Sequence, residues 1–335
     1  MRTTTRARSF VFAATSALLV AACGLSLVGG SAGDEDEQTR AEAGTPVGEA
    51  GVTPGTDDGA VTVDATTGLD ASSEDASDTD ASDAGSLDAS SDAQDDCLSK
   101  CDGGTCEDGR CTYRCATAAS CTAPITCPPG IPCTVECTGI NSCAKGIDCT
   151  KASECSLTCE GSGACKGPIA CSGAGCTIQC ANNTCTTDRI HCDAGTCDVT
   201  CSATSCQKGV TCASSKCATT CGGASSCNDG VTCTATNTCT IECNGPNTCR
   251  RVSATAGENV TIRCRQMNAC LDGVSASSAK SEITCDGYNA CRGDDHGGIR
   301  CDGGSCSATC SSNTSDTDFC CRASACARNN CDSCD

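Results

Sequence analysis

Large apolar side chains are what this sequence lacks. It has no Trp, two Tyr and three Phe in 335 residues, and Phe10 and Phe12 lie at its extreme N-terminus. Leu, Ile, Val and Phe number 37, about 11% of the chain, and only 22 of them fall in the 239 residues from position 97 onward. Chains that bury an ordinary core carry roughly 20% or more of these four, so a conventional hydrophobic core is excluded. Histidine is limited to His191 and His296, and no stretch shows a long helical spacing of apolar residues. Basic charge is scarce too: 22 Lys and Arg stand against 42 Asp and Glu, for a net charge of −20. No part beyond the first residues is basic enough to neutralise phosphates, which argues against nucleic acid as a partner.

Cysteine fills the place of the missing core. There are 43, and all but Cys23 lie between Cys97 and Cys334. The 42 distal cysteines can pair with no thiol left over. Disulfides at that density persist in oxidising compartments. A metal-thiolate protein is the competing reading, but the sequence holds a single C-x-x-C (Cys331, Cys334), no C-x-C and almost no His. No cofactor or metal is expected.

Residues 1–22 begin with Arg2, Arg6 and Arg8 and continue in an apolar run from Phe10 to Ala22, the pattern of a secretory signal. The junction Val20-Ala21-Ala22-Cys23 resembles the lipobox of bacterial lipoproteins. That resemblance, confined to the first 23 residues, implies a mature chain starting at an acylated Cys23 with membrane lipid as its partner. Gly24 stands where an Asp would favour inner-membrane retention, so the outer membrane or cell surface is the implied location. Residues 23–96 read as a disordered linker rich in Asp, Ala, Ser, Thr and Gly. Positions 34–96 hold 19 acidic residues and one basic residue, Arg40, and like charges extend such a chain. The remaining organisation expected is an N-terminal cap over 97–114, repeats over 115–309 and a cysteine-rich C-terminal cap over 310–335.

The repeat is the most specific signal. CTVECTGINSCAKGIDC from Cys133 is followed by CSLTCEGSGACKGPIAC from Cys155, CTIQCANNTCTTDRIHC from Cys176 and CDVTCSATSCQKGVTC from Cys197. CATTCGGASSCNDGVTC from Cys217 and CTIECNGPNTCRRVSAT from Cys239 continue it, with a period of 20 to 22 residues that lengthens to 25 in the last turn. A fixed period in this range marks a solenoid. In C-T-[I/V]-x-C the cysteines and the central aliphatic share one parity and the polar residues the other, which is a short strand. A second strand ends in Ile147/Cys149, Ile169/Cys171, Ile190/Cys192, Val210/Cys212 and Val231/Cys233. The predicted fold is all-β: a disulfide-stapled parallel β-helix of roughly 21-residue coils.

The pairing can be argued part-way. The coils starting at Cys243 and Cys264 keep Cys243/Cys249 and Cys264/Cys270 but lose the third and fourth cysteines together, to Thr255/Val260 and Ala276/Ser281. First and second cysteines therefore form one bonding set, third and fourth another. Pairing within each coil is the economical choice, with Cys137, Cys143, Cys149, Cys155, Cys159, Cys165, Cys221, Cys227, Cys233, Cys239, Cys243, Cys249, Cys264 and Cys270 as candidates; pairing between adjacent coils also satisfies the joint loss. The spacing from Cys137-Thr138 to Cys143 resembles the repeat of beetle antifreeze solenoids, whose bridges cross each coil. That resemblance implies ice binding through a flat Thr array, but outward pairs such as Thr134/Glu136, Asp198/Thr200 and Thr261/Arg263 interrupt the array with charge.

Catalytic groupings are sparse. Polysaccharide-active β-helices need carboxylate clusters and usually aromatic platforms; the repeat region offers no aromatic platform and only one small cluster with carboxylates. The loop Arg292-Gly293-Asp294-Asp295-His296 is its one dense polar insertion. The expected function is non-enzymatic: a lipid-anchored envelope protein displaying a rigid solenoid in a structural or adhesive role. The alternatives are a surface protein that binds glycan, cation or ice through an outward strand face, and a polysaccharide-active enzyme.

Overall fold

Residues 89–293, 298–311 and 317–333 are described by the structure, a computed structural model. The elements are a helix α1 (Ala89–Lys100) and the strands β1 (Thr105–Glu107), β2 (Arg110–Arg114), β3 (Ile125–Thr126), β4 (Cys133–Cys137), β5 (Ile147–Cys149), β6 (Glu154–Cys159), β7 (Ile169–Cys180) and β8 (Ile190–Cys201). They continue as β9 (Val210–Cys221), β10 (Val231–Cys243), β11 (Val252–Ala256), β12 (Asn259–Cys264), β13 (Val274–Cys285), β14 (Ile299–Cys310), β15 (Asp318–Asn329) and β16 (Asp332–Ser333). All strand pairs from β2 to β16 are parallel, and each pairs with the strand one coil on, giving about ten turns of about 21 residues. This is the all-β parallel solenoid that the period and alternation predict.

Four columns of residues fill the interior. One is aliphatic, with Ile147, Ile169, Ile190, Val210, Val231, Val252, Val274 and Ile299 stacked in register and buried. A second runs Val135, Leu157, Ile178, Val199, Thr219, Ile241, Ile262, Ile283 and Ala308. The other two columns are disulfides. One closes the bend between the two half-strands, as in Cys149–Cys155, Cys192–Cys197 and Cys233–Cys239. The other closes the turn after the second half-strand, as in Cys137–Cys143, Cys159–Cys165, Cys221–Cys227, Cys243–Cys249 and Cys264–Cys270. Disulfide sulfur is compact and apolar, so the coil needs no large side chain to exclude water.

Spacing at the bend shapes the strands of a coil. Where the two bend positions are five residues apart, as in Cys171–Cys176 and Cys301–Cys306, a single 12-residue strand runs through. A separation of six, as in Cys149–Cys155, splits the coil into β5 and β6. In β10 the extra residue is absorbed as a register shift between Ala235 and Thr238.

The turn is conformationally demanding. In each, the cysteine that ends it and the residue two before it have positive φ: Asn141 and Cys143, Asn183 and Cys185, Asn247 and Cys249, Asn289 and Cys291. Asn tolerates the left-handed region, but Cys has no such preference. Main-chain bonds to the previous coil, such as Cys143 N–H to Ser120 O at 3.1 Å and Cys270 N–H to Thr248 O at 3.0 Å, hold it there. Between the two sits a buried hydroxyl in several coils; Ser142, Thr184, Ser205, Ser226 and Thr248 each donate to the carbonyl three residues back. The turns stack so closely that a Cβ at Gly161 would lie 2.0 Å from the Gly139 carbonyl oxygen.

Helix α1 is the departure from the sequence-based expectation, which had residues 89–96 in the linker. Cys97 in the helix and Cys101 just past its end, whose N–H donates to the Cys97 carbonyl, bond Cys106 and Cys111 and tie the helix to the antiparallel hairpin β1–β2. An Asp96–Lys100 ion pair of 2.8 Å and the cation in the last turn favour the helix further. Helix and hairpin lie at the N-terminal end of the ladder. Parallel pairing starts at β2, inside the stretch expected to cap, and continues past residue 310 into β15. The register also corrects one position at a bend without sulfur: Ala254, not Thr255, stands opposite Cys233. Cys310, the turn-row cysteine of β14, bonds Cys331 in the tail.

Candidate binding face

Two outward rows on the second half-strand form a regular surface. One row reads Thr134, Ser156, Thr177, Asp198, Ala218, Thr240, Thr261, Glu282 and Ser307; beside it run Glu136, Thr158, Gln179, Thr200, Thr220, Glu242, Arg263, Thr284 and Thr309. These are the outward positions that the alternation assigns. Exposed strands favour β-branched Thr for packing reasons alone.

Charge divides the face. Its central coils, from Ser156 to Thr220, carry hydroxyl and amide groups with Asp198 as the one ionised residue in the two rows. A shallow depression of about 290 Å³ lies beside them, lined by Thr158, Glu160, Gln179, Ala181, Thr200 and Ser202. Toward the C-terminal end, Arg263 pairs with Glu242 at 2.8 Å and Lys280 with Glu282 at 2.6 Å. Hydrogen bonds from Arg263 and Asn244 hold the Glu242 carboxyl below its ordinary range, and Lys280 does the same for Glu282. A second depression of about 370 Å³ includes Thr240, Asn259, Thr261, Lys280 and Glu282. At the N-terminal end Arg114 bridges Glu107 and Glu136.

The other residues singled out from the sequence lie elsewhere. Cys23 falls outside the described residues, as do Asp294, Asp295 and His296 of the polar loop. Arg292 is exposed, and Gly293 N–H donates to Leu271 O at 2.9 Å. His191 stands outward between Ala170 and Thr211 on the first half-strand. Sulfurs of neighbouring rungs gather within 4.8 Å of one another, as for Cys137, Cys159 and Cys165, yet these cysteines are disulfide-bonded and have no thiolate to offer a metal.

Fold and surface together define a disulfide-stapled parallel β-solenoid with a hydroxyl-rich strand face. No protein-family model, curated protein or solved structure matches the chain.

Proposed function

We propose that the chain is a non-enzymatic, lipid-anchored envelope protein that presents a rigid solenoid to the exterior, in a structural or adhesive role. The observation that carries this reading is the covalent column itself. Stacked at about 4.8 Å per coil, about ten stapled turns make a stiff body about 50 Å long. The dense disulfides suit an oxidising exterior, and the Val20–Cys23 junction supplies an anchor. Acylated Cys23 would hold the chain to membrane lipid, and the acidic segment 34–96 would space the solenoid from it.

The hydroxyl and amide rows from Ser156 to Thr220 favour a more specific adhesive reading, contact with a neutral glycan by hydrogen bonding. Two experiments test the proposal. Cys23→Ser should move the protein from the membrane fraction to the soluble fraction and abolish fatty-acid labelling; continued fractionation with membranes would refute the anchor. Thr158→Lys/Thr200→Lys should leave the fold intact and reduce attachment of protein-coated beads to polysaccharide surfaces, and unchanged attachment would remove this face from the adhesive role.

A further inference from the structure

The two ends of the solenoid are finished differently. At the N-terminal end lie α1 and the β1–β2 hairpin. At the other, β16 pairs only with Asp318 and Phe319, so the rest of β15 has no following strand among the described residues. Residues from Arg322 to Asn329 are largely exposed there. The last bend rung, Cys321–Cys326, lies in this uncovered strand; Cys326 is exposed and Cys321 half-buried. The other bend rungs, from Cys127–Cys133 to Cys301–Cys306, are buried at both cysteines.

Two arginines share the opening. Arg328 stands opposite Ala308, at the end of the column filled in most other coils by Val, Leu and Ile. It lines, with Arg322, Cys321, Cys326 and Phe319, an open cavity of about 590 Å³. A guanidinium at a core position is explicable as protection of a free edge, but two permanent cations beside an accessible disulfide also create the environment that stabilises a thiolate. Just beyond the buried Cys301–Cys306 rung the column holds no sulfur for two coils, at Ala276/Ser281 and Ala254/Val260. Exchange begun at the open end thus has one further rung in this column within reach.

We propose that Cys321–Cys326 is a thiol–disulfide exchange site for small anionic thiols. A substrate thiolate attacks Cys326 Sγ; the new S–S bond forms as the Cys321–Cys326 bond breaks, and the electron pair leaves on Cys321 as a thiolate stabilised by the arginines. A second substrate thiolate attacks the substrate sulfur of the mixed disulfide, releasing the substrate disulfide and Cys326 thiolate. The two substrate thiols lose two electrons, and the protein disulfide gains them; the protons freed by the thiols are available to the two cysteines. The anchor and the adhesive face play no part in this chemistry.

The test uses the full chain with glutathione as probe, at neutral pH and without denaturant, followed by acid quenching, alkylation of free thiols and peptide mapping. The first modified cysteines should be Cys321 and Cys326. Arg322→Gln/Arg328→Gln should slow their modification several-fold with the strand circular dichroism unchanged, and Arg322→Lys/Arg328→Lys should restore the rate. First modification at any other cysteine, or an equal rate in the Gln variant, overturns the proposal; so does a Lys variant as slow as the Gln variant.

Discussion

Cys143 and its counterparts illustrate how a single residue position constrains this molecule. They combine a left-handed backbone, which L side chains other than Asn and Gly rarely adopt, with a bridge to a cysteine five or six residues earlier. At the bend, Cys133, Cys155 and Cys239 have no such backbone requirement among the positive-φ residues. That difference accounts for where cysteine is dispensable: Ala254/Val260 and Ala276/Ser281 replace bend pairs, while turn pairs run unbroken from Cys115–Cys121 to Cys285–Cys291. Thr219 is a second telling position. It occupies the aliphatic column, is buried, and its Oγ1 has no hydrogen-bond partner. Thr219→Val keeps the shape and removes an unsatisfied polar group, so it should stabilise the fold by about 1 kcal/mol, read as a higher denaturation midpoint. Glu242 supplies a pH dependence. Its folded pKa lies below the ordinary 4.5, so its stabilising contribution is present above that value and is lost as pH falls through the lower folded one. Arg263→Gln should therefore be less stable than the parent at neutral pH, with the gap narrowing in acid; a gap independent of pH would contradict the pairing.

At the scale of the element, spacing governs form. Strand parity is legible in the sequence because Cys, aliphatic and Cys alternate with polar residues, and the coil period is legible because those triplets recur. Less visible is the consequence of six residues at the bend, since a bulge and a strand interruption share that one spacing. Helix α1 is not legible because its tie to the fold is made by Cys97 and by Cys101 just past its end, whose four-residue spacing reads equally as disulfide framework. The Ala254/Thr255 ambiguity arises because no cysteine marks that bend, leaving register to the backbone ladder. At one of the two bends without sulfur, Ser278 and Ser281 hydrogen-bond at 2.8 Å in its place. This bond leaves the unfolded chain unrestricted, whereas a bridge closing so short a loop contributes about 2 kcal/mol by restricting it. Amides in 252–285 should therefore exchange with deuterium faster than those in 169–243; equal protection would mean that backbone ladders alone set local stability. Removing a turn pair, Cys201→Ala/Cys206→Ala, should lower the thermal midpoint more than removing the bend pair Cys192→Ala/Cys197→Ala, because the turn bridge also confines a left-handed residue.

For the whole molecule, stability rests on what substitutes for a core. Each coil orders about 21 residues, at a backbone cost of about 1–2 kcal/mol per residue. Against that most coils bury two aliphatic side chains and two disulfides, the two coils without bend sulfur only one disulfide, and neighbouring coils share their faces in the manner of a one-dimensional array. The aliphatic columns are too thin to hold the coils by themselves. The chemistry of the outward face, by contrast, was readable only as a pattern of side-chain types; the placement of Glu242 beside Arg263 and the open arginine-lined end emerge from the stacking. The central claim is that the disulfides hold the solenoid together. The most direct test is far-ultraviolet circular dichroism of the chain after complete reduction and alkylation in denaturant, followed by return to native buffer. Loss of the strand signal is the predicted result; a strand spectrum equal to that of the oxidised chain would contradict it.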